Sequence, residues 1–139
     1  MAVHAGLLRM STEGDGAVVD LTEGVRSVLA RSGLQVGVAT VFVTGSTAAV
    51  TTMEHEPGGV ADLRRLLERL VPRDEDWEHN VRNHDTNAHA HLRASIVGPS
   101  VAVSFARGQL ALGTWQQVVL LDFDDRPRDR VVSVHCIGE

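Results

Sequence analysis

Apolar residues recur along this chain with two different periods. Leu21, Val25, Val28 and Leu29 fall three and four residues apart, the spacing that lines one face of an α-helix. Asp20 or Thr22 can cap its start and Gly33 can end it. Val60, Leu63, Leu66, Leu67 and Leu70 form a clearer stripe, with Asp62, Arg64, Arg65, Glu68 and Arg69 on the wet side and Pro72 as a stop. That pattern predicts a second helix whose stripe is core. Runs rich in Val, Leu and Phe predict strands over 36–43, 100–105, 109–112, 116–123 and 130–137, with weaker candidates at 7–11 and 17–20.

The links between the later strands are short. Ala106-Arg107-Gly108 and the segment 124–129 fit hairpin connections, so neighbouring strands should pair antiparallel and alternate their faces, as Val101, Val103 and Phe105 do. The expected fold is α+β, mainly antiparallel sheet or sandwich with two helices. No linker-like or repetitive tract divides residues 1–139, which read as one domain. At 15.0 kDa such a chain buries roughly two-thirds of its unfolded surface. The stretch 73–87 is long and polar, as functional loops often are.

Charge narrows the partners. The net charge is −5, with no basic tail, so neither nucleic acid nor an anionic membrane surface is expected to bind. All 13 cations are Arg, which removes lysine Schiff-base chemistry and leaves the planar guanidinium fork as the side-chain cation for a phosphate or carboxylate. The single Cys136 lies among strand residues and reads as a small buried side chain. The N-terminus lacks the pattern of a secretory signal, and no apolar run approaches the ~20 residues of a membrane span, so a cytoplasmic location is expected.

The most distinctive local feature is Asn87-Ala88-His89-Ala90-His91. On an extended strand, residues two apart share a face, and the two imidazoles would converge on one ion or anion. Zinc takes three or four such ligands. His79, across the polar loop, and Glu54, where an earlier strand should end, are candidates to complete a set with His89 and His91. The plainer reading is that one histidine bonds a backbone carbonyl and the other faces water. Gly45-Ser46-Thr47-Ala48-Ala49 offers close backbone approach and hydroxyl donors to an anion, or else a tight strand crossing. Trp115 and Gln116 would give a flat wall and a hydrogen-bonding edge for a heteroaromatic ring, or an interface contact. Arg126, Arg128 and Arg130 lie among Asp124, Asp125 and Asp129, a mixture that reads as a solvated turn.

Five blocks together carry a resemblance: Gly45-Ser46-Thr47-Ala48-Ala49-Val50, Glu54-His55-Glu56-Pro57-Gly58, Trp77-Glu78-His79-Asn80, Asn87-Ala88-His89-Ala90-His91-Leu92 and Leu112-Gly113-Thr114-Trp115-Gln116. In order and over nearly the whole chain they resemble the YjbQ family, often labelled secondary thiamine-phosphate synthases. The resemblance implies an antiparallel α+β protein, usually a homotrimer, with a polar site for a metal or small anion. The implied activity joins a hydroxymethylpyrimidine pyrophosphate to a thiazole phosphate and releases pyrophosphate. On that reading His91 and Glu54 are catalytic, and Ser46, Thr47, Asn87, Trp115, Gln116 and Arg128 bind a small phosphorylated or anionic ligand. His79, His89 and His91 would hold a divalent metal, Zn or Mg, with no organic cofactor. Gly45 departs from the pattern, because many relatives carry His there. The chain is also shorter than the ~200 residues a (β/α)8 barrel requires. Two alternatives stand beside the synthase: a metal- or anion-binding homotrimer without that activity, and a metal-dependent hydrolase with Glu54 as general base.

Overall fold

The computed structural model describes residues 1–139. In chain order its elements are β1 (Ala2–Thr12), β2 (Ala17–Asp20), α1 (Thr22–Ser32), β3 (Val36–Thr44), β4 (Ala48–Met53), α2 (Pro57–Leu70), α3 (Glu78–Asn83), α4 (Ala88–Val97), β5 (Ser100–Ala106), β6 (Gln109–Leu110), β7 (Gln117–Asp122) and β8 (Arg128–Gly138). The class is α+β, as expected, with four helices where the pattern predicted two.

The strands form two sheets, in the order β1-β8-β3-β5-β6 and β2-β7-β4, and every pairing is antiparallel. Alternation decides how they stack. Val41, Val43, Val132 and Val134 from the large sheet meet Val118, Leu120, Ala48 and Val50 from the small one, and Val25, Val28 and Leu29 of α1 complete that core. The odd-numbered positions of the small sheet, Ala49, Val119, Leu121 and Phe123, face the other way. They pack on Leu67 of α2 and on Ala90 and Ala94 of α4. The layers are therefore large sheet, small sheet, helices. A strand buried on both faces must be apolar throughout, which is why Val118 to Leu121 carry no polar residue.

Three expectations fail here for identifiable reasons. The segment 124–129 is no hairpin connection: β7 belongs to the small sheet and β8, which already begins at Arg128, to the large one, so the chain crosses between layers. The α2 stripe is core only in part, since Leu67 is buried while Leu66 and Leu70 stay more than half exposed. The third failure concerns the histidine pair. Ala88, His89, Ala90, His91 and Leu92 lie on α4, not on a strand. Alternating alanines mimic a two-residue period, but alanine, leucine and arginine are strong helix formers. Gly98 and Pro99 then end the helix, with the Gly98 N–H donating to the Ala94 carbonyl at 2.8 Å.

Candidate functional site

A helix turns about 100° per residue, so residues two apart point in nearly opposite directions. This separates the histidines that a strand would have gathered. His89 faces inward and is 1% exposed. Its Nε2 accepts a hydrogen bond from Arg73 Nε at 3.3 Å, and its Nδ1 has no partner. The ring is therefore the neutral tautomer with its proton on Nδ1. Burial, then the charges of Arg73 and Arg93, hold its pKa below the ordinary histidine value.

His91 points the other way and meets His79 of α3, with ring centroids 4.7 Å apart and planes inclined by 47°. Asn80 fixes this meeting. Its Oδ1 accepts the Ala88 N–H at 3.0 Å and lies 3.2 Å from His79 Nδ1, tying α3 to the first turn of α4. Trp77 is anchored by Nε1 donating to the Pro72 carbonyl at 2.9 Å. Trp77, His79, His91 and Leu92 then line a pocket of about 410 Å³ together with Ala88 and the carboxylates Asp76 and Glu78. Trp115, the expected aromatic wall, lies elsewhere and is 73% exposed. The tryptophan beside the imidazoles is Trp77, whose signal was its place two residues before His79.

The remaining candidates fall into two other places. Thr47, Asn87 and Arg128 belong to a buried ionic network at the crossing between the sheets. Arg130 grips Asp122 with Nε and Nη2, each at 2.7 Å, and Nη2 also donates to Thr47 Oγ1 at 2.7 Å. Thr12 donates its hydroxyl to the same Asp122. Thr47 Oγ1 donates to Asp124 at 3.0 Å, Arg128 Nε to Asp124 at 2.8 Å and Asn87 Nδ2 to Asp124 at 3.4 Å. Asp122, Asp124 and Arg130 are 0%, 1% and 6% exposed and form a core feature, while Arg126 and Asp129 stay solvated as the composition implied. Burial raises the Asp124 pKa, but the bonds from Arg128, Thr47, the Asp125 N–H and Asn87 outweigh it and bring the carboxyl down to about 2. Gly45 makes room for the clamp: its φ is +135°, and a Cβ there would lie 2.7 Å from Arg130 Nη1. Ser46 sits outside it, exposed.

Glu54, Trp115 and Gln116 lie at the opposite end of the small sheet. Ala48 pairs with Asp122 at one end and Met53 with Gln117 at the other, about 17 Å apart at strand rise. Gln116 Nε2 donates to Thr52 Oγ1 at 3.1 Å and its Oε1 accepts the Gly113 N–H at 3.1 Å. Trp115 is 73% exposed. No hydrogen bond or ion pair joins Glu54 to either histidine, and no group of three His, Cys, Asp or Glu side chains is placed to hold a metal. The expected set of His79, His89 and His91 is thus divided: His79 and His91 meet, and His89 is on the far side of the helix. Two imidazoles fall short of the three protein ligands of a catalytic zinc site, so within one chain the residues do not fit that ion.

Comparison with known proteins places the chain in a family. The family described as UPF0047 protein YjbQ-like matches residues 7–139. A UPF0047 protein of Methanothermobacter thermautotrophicus is 35% identical over 139 residues, covering 100% of this chain and 95% of that protein. One from Archaeoglobus fulgidus is 37% identical over 131 residues, 94% of this chain and 98% of its own. Among solved structures, a YbjQ-like protein of unknown function from Sulfolobus solfataricus superposes with a TM-score of 0.89 at 30% identity, covering 99% of this chain and 100% of that one. A YjbQ/UPF0047 protein of Clostridium acetobutylicum gives 0.86 at 33% identity, over 94% and 98%.

Proposed function

Since the chain belongs to the YjbQ-like UPF0047 family, we propose that it acts on small phosphorylated heteroaromatic molecules as a secondary thiamine-phosphate synthase, at a site built around His79 and His91. One observation carries this reading: two imidazoles 4.7 Å apart open onto a pocket walled by Trp77 and Leu92. A flat apolar wall suits a pyrimidine or thiazole ring. Imidazole N–H groups at its edge suit the oxygens of a departing phosphate. In the reaction the thiazole nitrogen forms a bond to the pyrimidine methylene carbon while the bond from that carbon to pyrophosphate breaks, and pyrophosphate leaves with the electron pair. His91 would donate to the leaving group and His79 would hold His91 in place. A divalent ion enters this proposal as Mg²⁺ carried by the pyrophosphate, neutralising its charge.

The proposal includes a homotrimer. Val3, Leu7, Val36, Val38, Phe42 and Ile137 stand exposed on the outer face of the large sheet, where an antiparallel sheet that faces water carries polar residues. Glu54, Trp115 and Gln116, unassigned within one chain, would reach the histidines of a neighbouring copy. Purified protein supplied with both precursors and Mg²⁺ should form thiamine phosphate, detected by chromatography. His91→Ala should remove about 99% of that rate, on the order of the hundredfold worth of one positioned donor, with an unchanged circular dichroism spectrum. Product no faster than with the variant would end the synthase reading. The second reading, a metal-dependent hydrolase with Glu54 as base, would need a neighbouring copy to bring a third ligand and Glu54 to the imidazole pair, and stoichiometric zinc retained through purification would favour it.

A further inference from the structure

On the other side of α4 lies a cleft that the His79–His91 pocket does not explain. It has a volume of about 420 Å³ and is bounded by α2, the first residues after it, α4 and the turn between β1 and β2. Four arginines line it against three carboxylates, in a chain whose net charge is −5. We infer that this cleft is a binding site for a small anion of the phosphate class, held by Arg64, Arg73, Arg93 and His89.

Two independent features point there. The first is the state of the arginines. Arg64 donates Nε to the Gly16 carbonyl at 2.9 Å and makes no ion pair, so the rest of its guanidinium fork is free. Arg73 is held by Asp15, whose side chain is 66% exposed; Arg93 is held by Glu68, 55% exposed, and by the Val71 carbonyl, which accepts from its Nε and Nη2, so only its Nη1 is free for an anion. A water-exposed carboxylate is a weak competitor for a guanidinium, whereas a phosphate accepts two parallel N–H bonds from one fork. The second feature is His89. It lines the same cleft, is 1% exposed, and carries a buried Nδ1–H with no acceptor. A buried donor without a partner is rare in a settled fold, and a phosphate oxygen that reached this nitrogen from the cleft would satisfy it. Arg73 Nε already donates to Nε2 of that ring, so an anion held by Arg73 acts directly on the charge of His89. The charges that act on His89 are Arg73 and Arg93, which disfavour its protonation, and Asp125 and Glu68, which favour it. A bound anion would add to the second pair.

The test is a titration of the ¹⁵N-histidine-labelled protein with inorganic phosphate, with ionic strength held constant by chloride and read on the imidazole nitrogens by NMR. Saturable shifts at His89, and protonation of His89 at a higher pH in phosphate than in chloride, support the site. Arg64→Gln, which alters no ion pair, should weaken phosphate binding roughly five- to tenfold, the worth of one charged hydrogen bond partly open to water. Asp15→Asn should tighten it about threefold by releasing Arg73, a gain of one screened ion pair. Asparagine suits the left-handed backbone at that position, where φ is 58°. Shifts confined to His79 and His91, shifts matched by chloride, or an affinity unchanged by Arg64→Gln would each overturn the inference. None of these outcomes depends on synthase turnover, so the two proposals fail separately.

Discussion

At the scale of single residues, the polar core decides how the protein meets acid. Asp122 and Asp124 sit where the chain passes from one sheet to the other, and Arg130 and Arg128 neutralise them. Breaking one side of a buried pair costs more than the pair contributes, because the other charge is left dry. The Asp124 carboxyl titrates at about 2 in the fold against an ordinary 3.8. A depressed carboxyl contributes stability that is complete above the unfolded value and is lost as pH falls through the folded one. The window is therefore about pH 4 down to 2, and the contribution is on the order of 2 kcal/mol. His89 acts earlier and with the same sign, since its pKa is also lowered: it begins to cost stability as pH falls below about 6.5. Denaturant melts of Asp124→Asn should show lower stability at pH 7 and a flatter loss between pH 4 and 2. Parallel curves for variant and parent would mean that Asp124 does not carry the acid limb. These charges were visible in the sequence, but their burial was not. Asp and Arg around a presumed turn look solvated until the turn is found to be a crossing between two sheets.

At the scale of elements, the legible parts are those with an unambiguous period or turn chemistry. α2 shows because five apolar residues keep helical spacing over more than two turns, and α1 because Gly33, at φ 72°, ends it in the left-handed conformation. α3 and α4 do not show. α3 has six residues and no stripe, and α4 is helical by propensity while its alanines erase the distinction between faces. The error at α4 carried over to the site, since a strand gathers His89 and His91 and a helix parts them. The β5–β6 link illustrates the opposite case. Ala106 pairs with Gln109, leaving Arg107 and Gly108 as a two-residue loop with φ of 55° and 68°. Both values belong to the mirror-image turn that asparagine followed by glycine fits best. Arg107 is exposed, so nothing else holds it there. Arg107→Asn should raise stability by about 0.5–1 kcal/mol by relieving a left-handed conformation that disfavours arginine. A thermal melt at or below the parent's would contradict that account of the hairpin.

At the scale of the whole molecule, the three layers leave one surface without a reason to face water. α1 and the small sheet cover the inner side of the large sheet, but no element of the chain covers its outer side. Along β3 the outward positions are Val36, Val38, Thr40 and Phe42, and the neighbouring strands add Val3, Leu7, Val131 and Ile137. His135 and the end residues Arg9 and Asp129 are its ionisable groups on β1 and β8. An apolar field of this kind marks contact between protein surfaces, and the homotrimer proposed above assigns it to copies of the same chain. Phe42 lies on this face, 41% exposed, while its neighbours Val41 and Val43 are buried. A charge at 42 therefore reaches the interface without touching the core. Phe42→Glu should sediment as a 15.0 kDa monomer with the parent's far-ultraviolet spectrum, whereas on the trimer proposal the parent should sediment at three times that mass. If the composite site also holds, the variant loses synthase turnover but still binds phosphate in the arginine cleft, because that cleft is built within one chain. A Phe42→Glu protein that remains trimeric would move the contact to another face of the molecule.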